Sequence, residues 1–118
     1  MYPERLLDHF QNPRNVGELP PPAVTVEVSN PACGDIMRLS VRFENGRAVE
    51  SRYKVRGCTA SIAAGSALTE LLAGRTRADV ASITSVMVAE AVGGLEPASE
   101  HAAQLCVDAV KAFLICWR

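Results

Sequence analysis

Two cysteines, an aspartate and a histidine carry the chemistry legible in this chain. Cys33 and Asp35 stand two residues apart in Asn30-Pro31-Ala32-Cys33-Gly34-Asp35-Ile36-Met37. Gly34 between them opens backbone angles closed to other residues, and Pro31 holds Asn30 extended. Cys58 follows Gly57 where a strand pattern gives way to a helical one, and His101 opens the last helical pattern. We read Cys33, Asp35, Cys58 and His101 as converging on one metal-binding site. Soft thiolates select zinc, copper(I) or iron–sulfur clusters, and because the spacing is not a CxxC knuckle it does not name the metal. The plainer readings are that the cysteines fill a core, that Asp35 caps a turn, and that His101 is a surface residue of a first helical turn. A glycine beside each cysteine favours a joint site, with Asp35 as ligand or polar gate. Cys106 and Cys116 read as core or helix-end filler, with a conditional ligand role open for Cys106. His9 reads as surface, or as packing within the N-terminal segment.

The elements that must position these groups follow from periodicity. Residues Pro3 to Gln11 read as a short helix with Leu6, Leu7 and Phe10 on one face. Pro20-Pro21-Pro22 is a stiff connector. Val24, Val26 and Val28 alternate with polar residues as a half-buried strand. Met37, Leu39, Val41 and Phe43 form a second strand, and Val49, Tyr53 and Val55 a third, joined around Asn45-Gly46. A two-residue Asn-Gly loop would set Val41 against Glu50 and bring opposite faces together. The expected hairpin therefore has a three-residue loop, Glu44-Asn45-Gly46, with Val41 against Val49 and Met37 against Tyr53. Extended to its open end, that register sets Ala32 opposite Cys58 and so brings Cys33 beside Cys58. Asp35 falls on the buried parity of Met37 and Leu39, where a carboxylate needs a partner.

Thr59 or Ser61 is expected to cap a helix reaching about Ala73, with Cys58 just ahead of it, where free N–H groups favour negative charge on sulfur. Ala60, Ala63, Ala64 and Gly65 permit close packing in its first turns. Thr76 with Asp79 resembles a capping box, a short helix follows around Ser85 to Val92, and Ser99 caps a long C-terminal helix with the stripe Leu105, Cys106, Ala109, Ala112, Phe113 and Cys116. The expected fold is α+β: a three-stranded antiparallel sheet with helices packed on one face, as a single domain over residues 1–118.

Composition narrows the class. Hydrophobic residues make up 48% and charged residues 21%, as in a globular domain. Twelve Lys and Arg against 13 Asp and Glu give net charge −1, which offers no basis for nucleic-acid binding. No apolar run reaches membrane-spanning length. The N-terminus lacks a signal-peptide layout, so the cytoplasm is the expected compartment. Four cysteines there stay reduced, which favours metal binding or thiol chemistry over disulfides.

The ordered motifs Asp8-His9-Phe10, Asn12-Pro13-Arg14-Asn15-Val16-Gly17, Asn30 to Met37, Gly57-Cys58-Thr59-Ala60-Ser61-Ile62-Ala63, Thr69-Glu70, His101 and Asp108-Ala109-Val110-Lys111 span nearly the whole chain. In them the sequence resembles the IscU/NifU-type iron–sulfur cluster assembly scaffolds. The resemblance implies a non-enzymatic scaffold that builds a transient [2Fe–2S] cluster, takes sulfur from a cysteine desulfurase, and passes the cluster to apo iron–sulfur client proteins. Zinc would be a substitute occupant in purified protein. By motif, Cys33 and Cys58 are cluster ligands, Asp35 is the acid that tunes cluster stability and release, and His101 is the ligand-region histidine.

Two positions depart from that pattern. The family's cysteine after the histidine is Ala102 here, with Cys106 one helical turn further on as a candidate stand-in. The family's Leu-Pro-Pro-Val-Lys chaperone motif is reduced to Leu95-Glu96-Pro97-Ala98-Ser99, which argues against docking of a dedicated Hsp70-type chaperone. The first departure sustains a rival reading, a zinc-binding sulfur acceptor or regulator of a cysteine desulfurase. A degenerate module without metal is the other rival, and retention of all four site residues argues against it.

Overall fold

A computed structural model describes residues 2–31 and 34–117. In chain order the elements are α1 (Glu4–Gln11), β1 (Val24–Asn30), β2 (Asp35–Glu44), β3 (Arg47–Arg56), α2 (Thr59–Leu72), α3 (Arg77–Ala81), α4 (Ser85–Ala91), a 3-10 turn (Pro97–Ser99) and α5 (Glu100–Cys116). The strands form one antiparallel sheet in the order β1-β2-β3. Met37, Leu39, Val41 and Tyr53 face inward, where α2 covers β3 and α5 covers β1. On the open face Arg38 pairs with Glu18 and Glu27, and Arg42 with Glu44 and Glu50. Helix α1 packs on α2 and α4 on α5. The fold is the α+β arrangement that the alternation and capping signals predict.

The hairpin departs from its expected register. The loop is the two-residue Asn45-Gly46, with φ of 53° and 74° at those residues, closing on Glu44 opposite Arg47. Two consecutive left-handed residues match the twist of the flanking strands, which Asn-Gly supplies at low cost. The mismatch of faces is repaired within β3. Phe43 pairs with Ala48 and Arg42 with Glu50, so Val49 is the extra residue of a bulge. Val49 is exposed, and Val41 stands opposite Ser51, Leu39 opposite Tyr53 and Met37 opposite Val55. The pairing runs out at Ile36 opposite Arg56, which leaves Asp35 beside Gly57. Ala32 and Cys33 lie outside the described residues.

Helix α1 is also turned relative to expectation. Leu6 and His9 form its buried face, while Leu7 and Phe10 are partly exposed. His9 Nδ1 lies 2.7 Å from Ser66 Oγ on α2, and its Nε2 lies 3.4 Å from Glu70 Oε1. Ser66 Oγ accepts the Arg14 backbone N–H at 2.9 Å. The trio Ser66, His9 and Glu70 has the residue types of a hydrolytic triad, but Ser66 is wholly buried, so the trio pins α1 to α2 and has no route to a substrate.

Burial, and then the Arg14 guanidinium, hold the His9 pKa below its usual value of 6.5, against the opposite pull of Glu70 and Asp8. A histidine whose folded value is depressed contributes stability that is complete above the unfolded value and is lost as pH falls through the folded one. Thermal melting is therefore expected to weaken as pH drops below about 6.5, and His9→Gln should flatten that dependence. Melting curves of both proteins across this range are the check.

Candidate metal centre

At the end of the sheet, β3 runs through Gly57 into Cys58, which is the N-cap residue of α2 with extended backbone, φ −76° and ψ 168°. Thr59 and Ser61 are not the cap; Thr59 is already helical, and the Cys58 side chain makes no capping hydrogen bond. The thiol is thereby free to turn toward β2. Asp35, the first residue of β2, is 4% exposed and reaches the same point. His101, in the first turn of α5, completes the group.

Cys58 Sγ lies 3.4 Å from His101 Nε2 and 3.6 Å from Asp35 Oδ2, and His101 Nε2 lies 3.5 Å from Asp35 Oδ2. Bond lengths of about 2.0–2.3 Å to nitrogen, oxygen and sulfur give tetrahedral edges of roughly 3.3–3.8 Å. All three separations fall within that span, so the sulfur, nitrogen and oxygen donors fit a borderline-soft ion such as zinc or iron. A fold organised only for packing has no need to bring three such donors onto one point.

Gly57 makes this approach possible. A Cβ there would stand 2.5 Å from Asp35 Cγ and 2.7 and 2.9 Å from its oxygens. Ser61 Oγ donates a hydrogen bond to Asp35 Oδ2 and lies 3.4 Å from Cys58 Sγ. In the sequence Ser61 reads as a possible helix cap and as part of the motif from Gly57 to Ala63. The available signal was spacing: Cys58 and Ser61 are three apart at a helix start and so share a face.

Asp35, Cys58 and His101 are thus brought together as expected, whereas the expected neighbourhood of Cys33 and Cys58 falls outside the described residues. Cys106 is wholly buried in the core between sheet and helices, and burial pushes its thiol pKa far above the ordinary range. Among the described residues it is not one of the donors that converge with Asp35, Cys58 and His101, and Ala102 is as fully buried as Cys106. Cys116 is exposed rather than part of the apolar stripe. Iodoacetamide is expected to label Cys58 and Cys116 in the native protein and Cys106 only after denaturant is added, read out by peptide mass analysis.

A groove of about 490 Å³ opens beside the centre, with His101, Glu100, Gln104 and Ala103 of α5 on one wall and Ser85, Val86 and Ala89 of α4 on the other. One side of the donor cluster therefore faces a space that a partner or ligand can enter.

The sequence matches the family described as NifU-like N terminal domain over residues 1–117. The iron–sulfur cluster assembly scaffold protein IscU 1 of Archaeoglobus fulgidus is 37% identical over 115 residues, covering 98% of this chain and 75% of its own. The scaffold protein IscU of Azotobacter vinelandii is 39% identical over 115 residues, covering 94% of this chain and 89% of its own. Among solved structures, an iron–sulfur assembly scaffold candidate for the SUF system of Fervidobacterium islandicum AW-1 superposes with a TM-score of 0.76 over 96% of each chain, at 18% identity, a likeness of fold. With the ordered motifs, the sheet-and-helix arrangement and the Asp35–Cys58–His101 cluster in place, these matches establish that the chain belongs to the IscU/NifU family, carrying its NifU-like N-terminal domain.

Proposed function

We propose that this chain is a scaffold for iron–sulfur cluster assembly, receiving iron and sulfide, building a [2Fe–2S] cluster and passing it to apo-proteins. The observation that carries the reading is the convergence of Cys58, Asp35 and His101 at tetrahedral-edge separations beside an open groove. Cys33 and Cys58 would supply the thiolates, His101 a neutral nitrogen, and Asp35 a harder oxygen that exchanges more readily than sulfur. Such a mixed donor set suits a cargo that must be released. A cysteine desulfurase is the proposed sulfur source, apo iron–sulfur proteins are the recipients, and the reducing cytoplasm is the proposed setting. Zinc is the proposed occupant of protein purified in air.

Anaerobic reconstitution with ferrous iron and sulfide tests this. The expected outcome is a visible iron–sulfide absorption band with iron and sulfide in equal amounts, absent in Cys58→Ala. A wild-type protein that takes up no iron under these conditions would sink the reading.

Ala102 favours a second reading, a zinc-loaded sulfur acceptor or regulator of a desulfurase. Residue 102 carries no thiol, and among the described residues only Cys58 brings one to Asp35 and His101. Zinc-loaded protein that stimulates sulfide release by a desulfurase while failing reconstitution would select it.

A further inference from the structure

We propose that Ser61 is a positioning residue of the metal centre: its hydroxyl holds the Asp35 carboxylate against Cys58 and His101, and that hold sets how tightly a divalent cation is kept there. The inference rests on the metal-binding reading of the centre and names a residue that regulates it.

Four observations carry it. Ser61 is wholly buried, so its hydroxyl has no water to bond and its placement is set by the protein. It donates to Asp35 Oδ2, the same oxygen that lies 3.5 Å from His101 Nε2 and 3.6 Å from Cys58 Sγ. Ser61 Oγ itself lies 3.4 Å from Cys58 Sγ, so it touches two of the three donors. The carboxylate also rests over Gly57, where a Cβ would overlap it. The Asp35 side chain is therefore in contact with both the bare backbone of residue 57 and the hydroxyl of residue 61. A helical Ser ordinarily bonds back to its own helix or faces water; this one is spent on a carboxylate from another element.

A carboxylate already held in its binding orientation loses little freedom when a cation arrives, and one released from its partner must first be ordered. Groups that orient metal ligands in this way typically change affinity about 10–100-fold when removed. The hydroxyl acts on the cation through Asp35, so its effect should vanish when Asp35 is gone. That separates a positioning role from a general contribution to the fold, which would persist whatever stands at residue 35.

The test is Zn²⁺ affinity, measured by competition with a chromophoric chelator, for wild type, Ser61→Ala, Asp35→Ala and the double variant. The expected result is a loss of about 10–100-fold in Ser61→Ala and a further loss of less than about two-fold when the same change is made in the Asp35→Ala background. Equal losses in the two backgrounds, or no loss in Ser61→Ala, would overturn the role of Ser61 and leave the metal centre standing. A wild-type protein that binds no Zn²⁺ would overturn the metal-centre reading and this inference together.

Discussion

Gly57→Ala is expected to dismantle the proposed metal centre while leaving the rest of the fold in place. The new methyl would stand 2.5 Å from Asp35 Cγ, a separation at which one of the two must move. Residue 57 belongs to the turn that seats Cys58 as the N-cap of α2, so a backbone shift there displaces the thiol as well. A side-chain shift instead breaks the Ser61 hydrogen bond and takes Asp35 off His101 and Cys58. Either route separates the donors. Overpacking of this kind costs about 1–3 kcal/mol, well within what a domain of this size tolerates. Zn²⁺ affinity should fall by at least the roughly 100-fold upper range for a lost orienting contact, and the far-UV circular dichroism should be unchanged. Wild-type affinity in Gly57→Ala would mean that Asp35 does not need its position over residue 57.

Gly65→Ala should destabilise the whole fold. The residue is in mid-helix, where alanine is normally better by about 1 kcal/mol. Here the added methyl would lie 2.5 Å from two ring carbons of Tyr53 and 3.3 Å from Met37 Cε. Tyr53 and Met37 are both buried, and the Tyr53 hydroxyl donates to the Ile62 carbonyl at 2.7 Å. Moving the ring strains the core and breaks that bond, which together cost roughly 2–4 kcal/mol. After the gain in helix propensity the net loss is about 2 kcal/mol, or on the order of 10 °C in melting temperature. A rise in melting temperature would show that propensity outweighs the contact with Tyr53.

These two glycines show where sequence reading reached and where it stopped. The small residues at the start of α2 signal a close approach, but the partner that needs Gly65, the Tyr53 ring, becomes identifiable only with the strand register. Matching hydrophobic faces across an unbroken ladder predicts a different register. The chain instead keeps the favoured Asn45-Gly46 turn and takes up the mismatch at Val49, an ordinary strand residue by type. A bulge is one unpaired residue and leaves the alternation on either side intact, so periodicity does not reveal it.

The site divides along the same line. Asp35, Cys58 and His101 were legible because metal-ligating side chains at turns and helix starts are chemically conspicuous. Ser61 was not, because a serine three residues into a helix has common local uses. The partners of His9 on α2 are hidden in the sequence for a related reason. A lone histidine on a mixed helix face gives no sign of orientation until Ser66 and Glu70 are known to face it.

The outer edge of β3 has one more consequence. The Asn15 carbonyl and the Gly17 N–H bond to the Tyr53 backbone, and the Gly74 N–H and Arg75 carbonyl bond to Ala48. Short segments from before β1 and after α2 thus bond to two points, Tyr53 and Ala48, of the edge along which another chain could add a strand. With a net charge of only −1, electrostatic repulsion does little to keep copies of this protein apart. Resistance to edge-to-edge aggregation on this side is instead built into the backbone, and loosening the Asn15–Gly17 segment would open a templating surface even while the sheet itself remained folded.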